Sequence, residues 1–136
     1  MSRATIISNL KTLVQGSASF SLVSDTKRDA IDERRMPAAI LRIRNEDFDD
    51  APVNGTAAND KVMSVDVEIY ARKSGSTSAA GSVIGLVDAL ESAINVDPKL
   101  SGTCYKVRIE SVQYDDVVEA SKPIALATVA IVIDYR

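Results

Sequence analysis

At 136 residues, with 46% hydrophobic and 26% charged, the chain is long enough for one core, too short for two, and too apolar for disorder over most of its length. Its net charge of −3, with Lys and Arg scattered among acids, argues against nucleic acid as the main partner. The absence of histidine removes the usual general base, the commonest metal ligand and any Ser-His-Asp or Cys-His arrangement.

The chain reads as a single domain over 1–136 with an aliphatic core, since Trp is absent and Val and Ile favour sheet. From Ser2 to Gln15, Ile6, Leu10, Leu13 and Val14, flanked by Ile7, recur at helical spacing, and Gly16 is placed to stop the helix. The same segment lacks the long apolar stretch and cleavage site of a signal peptide, so no secretion is expected. "ASFSLVSD" then predicts a short strand or an extended link.

After Pro37, "AAILRIRNEDF" places Ala39, Leu41 and Ile43 on one face and Arg42 and Arg44 on the other, as in a half-buried strand. "NEDFDDAPVNGTAAND" predicts a long exposed loop, because it is acidic and rich in turn formers. The clearest alternation follows in "KVMSVDVEIYARK", with Met63, Val65, Val67, Ile69 and Ala71 against Ser64, Asp66, Glu68, Tyr70 and Arg72; it should pair with the preceding strand as a hairpin. "SVIGLVDALESAINVD" repeats apolar residues at Val83, Leu86, Val87, Leu90 and Ile94, a second amphipathic helix stopped before Pro98.

"CYKVRIESVQYDD" alternates Tyr105, Val107 and Ile109 against Lys106, Arg108 and Glu110. The closing "IALATVAIVIDYR" is apolar on both strand faces, Ala125, Ala127, Val129, Ile131 and Ile133 on one and Ile124, Leu126, Ala130 and Val132 on the other, which predicts a central strand with both faces covered. The run is far below the roughly 20 residues needed to cross a bilayer as a helix, so no membrane is expected. Strands grouped in pairs around a helix predict an α+β fold: an antiparallel or mixed sheet of four to five strands, with two helices packed mainly on one face. Helices on one face leave the other needing a loop or a neighbouring subunit.

The search for chemistry yields little. Cys104 has no His partner and reads as a small buried residue; one cysteine also fits a reducing cytoplasm. Gly75, Gly81 and Gly85 match neither a P-loop nor a dinucleotide fingerprint and read as linker and helix entry. Glu46, Asp47, Asp49 and Asp50 offer oxygen atoms to a hard cation but lack EF-hand spacing, so a solvated loop is the better reading. No catalytic residue, cofactor or metal site is expected. Arg34, Arg35, Arg42 and Arg44 are flanked by Asp32, Glu33, Glu46 and Asp47, which suggests local or intersubunit ion pairs.

The order of elements, together with "IDERRMPAAILRI" at 31–43, "DKVMSVDVEIYAR" at 60–72, "INVDPKLSG" at 94–102 and the closing strand, resembles the phage tail terminator family over nearly the full chain. The resemblance implies a virion structural protein without an active site. Such a protein forms a ring, commonly a hexamer, on the last ring of the tail tube at its head-proximal end, stops polymerisation and offers a head-joining surface. The implied partners are the protein itself, the tube protein, a head completion or neck protein and, in a contractile tail, the sheath, with assembly in the host cytoplasm. The resemblance carries over no binding motif. Partner-contact candidates therefore come from the residues themselves: Arg34, Arg35, Arg42 and Arg44, the acids Asp47, Asp49, Asp50 and Asp60, and the polar strand face of Asp66, Glu68, Tyr70 and Arg72. Another neck or tube protein is the rival within the structural class, and a small-ligand-binding α+β domain is the rival outside it.

Overall fold

The computed structural model describes residues 2–25, 33–48, 61–73, 76–119 and 122–136. The elements run α1 (Arg3–Ser17), β1 (Leu22–Ser24), a 3-10 turn (Glu33–Arg35), β2 (Ala38–Phe48), β3 (Lys61–Arg72), α2 (Ala79–Val96), β4 (Lys106–Glu119) and β5 (Lys122–Tyr135). The strands form one mixed sheet in the order β1-β2-β3-β5-β4, parallel only between β1 and β2. This is the expected α+β architecture. Both helices pack on the face that carries Ala39, Val65, Val67 and Ile131.

Alternation along β3 builds that face. Met63, Val65, Val67, Ile69 and Ala71 are buried, and β5 sets Ile131, Val129 and Ala127 opposite Val65, Val67 and Ile69. Against this surface α2 places Val83, Val87, Leu90 and Ile94, and α1 places Ile6, Leu10 and Val14, in each case one turn or two apart on a single helix face. By length and composition α2 is apolar enough to cross a membrane, but its buried stripe and its exposed Asp88 and Glu91 are those of a helix lying on a core.

Side chains from the preceding residues open both helices. Ser2 Oγ accepts from Thr5 N at 3.4 Å, and Ser78 Oγ accepts from Gly81 N at 3.1 Å. A Cβ on Gly81 would lie 3.2 Å from Ser78 Oγ, so the cap itself accounts for this glycine. Gly16, by contrast, does not stop α1: the helix continues to Ser17, whose hydroxyl donates to the Val14 carbonyl at 2.7 Å, and leaves through extended Ala18. After α2 the chain turns through Leu100, Ser101 and Gly102, all at positive φ. Asp97 holds the turn by accepting from Ser101 N at 3.0 Å, and Asn9 Nδ2 of α1 donates to the Leu100 carbonyl at 3.2 Å.

Three expectations need correction. Asn45–Phe48, included both in the strand "AAILRIRNEDF" and in the loop "NEDFDDAPVNGTAAND", belongs to β2: after a bulge between Ile43 and Asn45 the strand stays paired with Ser64–Lys61, because backbone pairing tolerates polar side chains where the strand borders solvent. Ile43 lies opposite Val65 on the helix-covered face yet is 58% exposed, since β1 ends its pairing at Ile40 and leaves this part of β2 at the sheet edge. Tyr105, assigned to the apolar face, precedes β4 and is 46% exposed.

The closing strand β5 lies inside the sheet between β3 and β4, as its two apolar faces predict. On the face away from the helices, Ile124, Ala130 and Val132 are 8%, 7% and 4% exposed within the single subunit. These residues therefore do not require a neighbouring subunit to bury them.

The packing gives a direct check on the core. Leu90→Ala, which empties a fully buried site over the β3–β5 ladder, should lower unfolding free energy by about 2–5 kcal/mol. Ser78→Ala, which removes only the cap, should lower it by about 1 kcal/mol. Urea denaturation of the two variants checks this ranking.

Candidate interaction surface

Because side chains alternate along a strand, the pattern that buries Val65 and Val67 turns Ser64, Asp66, Glu68 and Tyr70 to the opposite face. Antiparallel pairing sets Arg42 beside Asp66, Ile40 beside Glu68 and Ala38 beside Tyr70. Candidates from two separate stretches of sequence thus meet in one array.

The array is internally paired. Arg42 Nη1 lies 3.5 Å from Glu68 Oε1, and Tyr70 Oη donates to Glu68 Oε2 at 2.8 Å. Arg44 Nη1 lies 3.6 Å from Asp66 Oδ1, a buried oxygen that has no hydrogen bond, so the guanidinium compensates it by charge alone. Glu68 is the one buried charged residue among the described residues. Both arginine side chains are half exposed, which limits each ion pair to roughly 1 kcal/mol or less.

Tyr70 is pushed from 10.0 up to about 12, first by burial, then by the hydrogen bond to Glu68 and the carboxylate's charge, with Arg42 pulling the other way. The phenol therefore stays protonated and serves as a donor to Glu68. It is not poised as a base.

The remaining candidates are elsewhere. Arg34 and Arg35 occupy the exposed 3-10 turn before β2 and not the strand-face array. Asp47 is exposed at the end of β2 and accepts from Asn45 Nδ2 at 3.4 Å. Arg72 ends β3 and is exposed. Asp49, Asp50 and Asp60 lie outside the described residues.

Arg42 and Arg44 pair across strands and not with flanking acids, because residues on neighbouring strands face each other while adjacent residues on one strand point apart. Glu46 instead pairs with Arg3 of α1 at 2.7 Å. Beside it, Phe48 lies between Arg3 at 6.0 Å and Lys61 at 5.8 Å from its ring, and Lys61 also lies 5.7 Å from the ring of buried Tyr135. The bulge after Ile43 reverses the alternation and turns Glu46 and Phe48 to the helix side, so the sequence period alone would have placed them on the other face.

Among the described residues no group of three His, Cys, Asp or Glu side chains is placed to hold a metal ion. Glu46 and Asp47, considered as oxygen ligands, are successive strand residues and diverge, the first lying opposite Met63 and the second opposite Val62. Cys104 is buried, and burial above all, with Asp97 and Asp134 adding to it, pushes its thiol up, opposite to what a thiolate nucleophile requires. A groove of about 540 Å³ between α1 and α2 is lined mainly by Asn9, Thr12, Leu13, Ser92, Ala93 and Val96, with Asp97 as its one charged residue.

The chain matches no protein-family model, and no curated protein is significantly similar to it. Among the described residues, the surface offers a charge-paired sheet face and two sheet edges of different sequence.

The Tyr70–Glu68 bond has a defined pH signature. A phenol raised in the folded state stabilises the fold below its unfolded value and loses that contribution as pH climbs through the folded value. The stability difference between the wild type and Tyr70→Phe should accordingly be constant up to about pH 10 and shrink towards pH 12. Urea denaturation across that range measures it.

Proposed function

We propose that the protein is a virion structural protein of the tail terminator class: a ring that caps the tail tube, ends its polymerisation and presents a head-joining surface. The observation that carries this reading is the element order, helix, short strand, hairpin, helix, hairpin, which folds as one mixed sheet with both helices on one face. It corresponds along the chain to the segments that resemble the family. The charge-paired opposite face supports the reading, since an array whose ions already satisfy one another can meet a partner without leaving an unpaired buried charge.

In this reading the chemistry is geometric. A cap must match the ring below it and refuse the next tube subunit, which asks for a stiff sheet and defined contacts and for no reacting group. The subunits meet head-to-tail, so each presents two different surfaces. The outer partners are the tube protein on one side and a head completion or neck protein on the other, with the sheath added in a contractile tail. The ring, commonly of six subunits in the family it resembles, belongs to the virion at the head-proximal end of the tail.

The test is to mix the purified protein with a polymerising tail tube protein of the same phage and measure tube lengths by negative-stain microscopy. Shortened tubes bearing one extra ring at an end are expected. Incorporation along the tube would make the protein a tube subunit, and unchanged lengths without end density would remove the terminator reading.

A further inference from the structure

From the two sheet edges we infer that subunits join head-to-tail by strand pairing, the free half of β2 in one copy adding antiparallel to β4 of the next copy and continuing the sheet. This specifies the subunit contact of the proposed ring and rests on that reading for closure.

β1 pairs with Ala38–Ile40, so among the described residues β2 has a neighbouring strand on one side alone from Leu41 to Phe48. β4 borders the other end of the sheet along its whole length. Its start is closed, because Val107 N donates to the Pro98 carbonyl at 2.7 Å, and the open edge begins at Ile109. From β2 to β3, β5 and β4 each step is antiparallel, so β2 and β4 run in opposite directions. An identical neighbour placed beside β2 therefore presents β4 in antiparallel sense, and the same operation repeats.

Each strand carries one bulge, between Ile43 and Asn45 in β2 and between Ile109 and Ser111 in β4. With Arg44 and Glu110 as the extra residues, one register keeps both faces matched across the contact. It sets Phe48 opposite Ile109, Asn45 opposite Gln113, Ile43 opposite Tyr114 and Arg42 opposite Asp115. The side chains of Ile43, Phe48 and Tyr114, exposed by 58%, 54% and 53%, then cover one another or Ile109 on the helix side of the sheet. On the opposite side Arg42 meets an acid, and Asp47 comes diagonally near Arg108, which has no ion-pair partner among the described residues. Cross-strand pairs of this kind fix register, and adding a strand to an open edge satisfies backbone groups on both partners.

The test uses two single variants, Asn45→Cys and Gln113→Cys, each with Cys104→Ser. Residues directly opposite on antiparallel strands have Cα atoms about 4.5–5.5 Å apart, within disulfide range. Under mild oxidation neither variant alone should cross-link, an equimolar mixture should yield one-to-one dimers, and the chain carrying both cysteines should yield a ladder ending at the ring size. Self-linking of Gln113→Cys would show a two-fold β4–β4 contact and overturn the inference, as would a mixture that does not cross-link or a chain that stays monomeric. Asp115→Arg, an exposed site that leaves the subunit fold intact, should weaken association at least tenfold by native mass spectrometry; unchanged association also counts against the pairing. The two readings fail separately: cross-linked rings that leave tube length unchanged refute the terminator function alone, and tube capping by protein that does not cross-link refutes this contact alone.

Discussion

The pairing of β3 with β5 is the constraint on which the rest of the molecule depends. It runs without a break from Lys61–Tyr135 to Arg72–Ile124 and brings Val65, Val67 and Ile69 against Ile131, Val129 and Ala127, all fully buried. With a side-chain period of two, a slip of one residue would turn this whole set to the other face and put Asp66 and Glu68 beneath the helices. The register is thus held by the large difference between burying aliphatic side chains and burying two carboxylates.

The same ladder dictates the chemistry of the opposite face. Once Val65 and Val67 point to the helices, Asp66 and Glu68 must point away, and their sequestration within the sheet has to be compensated. β2 does so with Arg42 and Arg44, and Tyr70 supplies a hydrogen bond two residues along β3. Each pair is weak by itself because the guanidinium groups reach solvent. Together they make an array that is charged yet balanced, two arginines against two carboxylates.

Much of this was legible in the sequence where one physical demand acted alone. β3 and α2 each obey a single period, so their buried residues could be named in advance, and β5 declared itself by being apolar on both faces. The sheet order and the cross-strand partners were not legible, because they depend on which strands become neighbours: Arg42 and Arg44 looked suited to nearby acids and instead found Asp66 and Glu68 on β3. Asn45–Phe48 was read both as strand and as loop for a related reason. Its composition is that of a loop, but the backbone of β3 offers partners that composition does not record. The candidate surface was thus half visible, its residues identifiable and their grouping not.

The closing strand shows how a sequence pattern that suggests association can be satisfied within one chain. A strand with two apolar faces, in a sheet whose helices cover only one, asks for a second layer. On the uncovered face, however, Ile124, Ala130 and Val132 are buried within the subunit, Ala130 between Asp66 and Ser111 and Val132 between Ser64 and Arg108, and Leu126 is half-buried. These buried residues leave little apolar area there for a partner to cover. The proposed ring contact uses the edges instead, where among the described residues β2 beyond β1 and β4 beyond Val107 have no strand beside them and Ile43, Phe48 and Tyr114 are exposed. In the proposed ring, assembly through the edges leaves most of the charge-paired face to a different partner, and a cap that joins its own copies sideways while meeting other proteins above and below needs that separation.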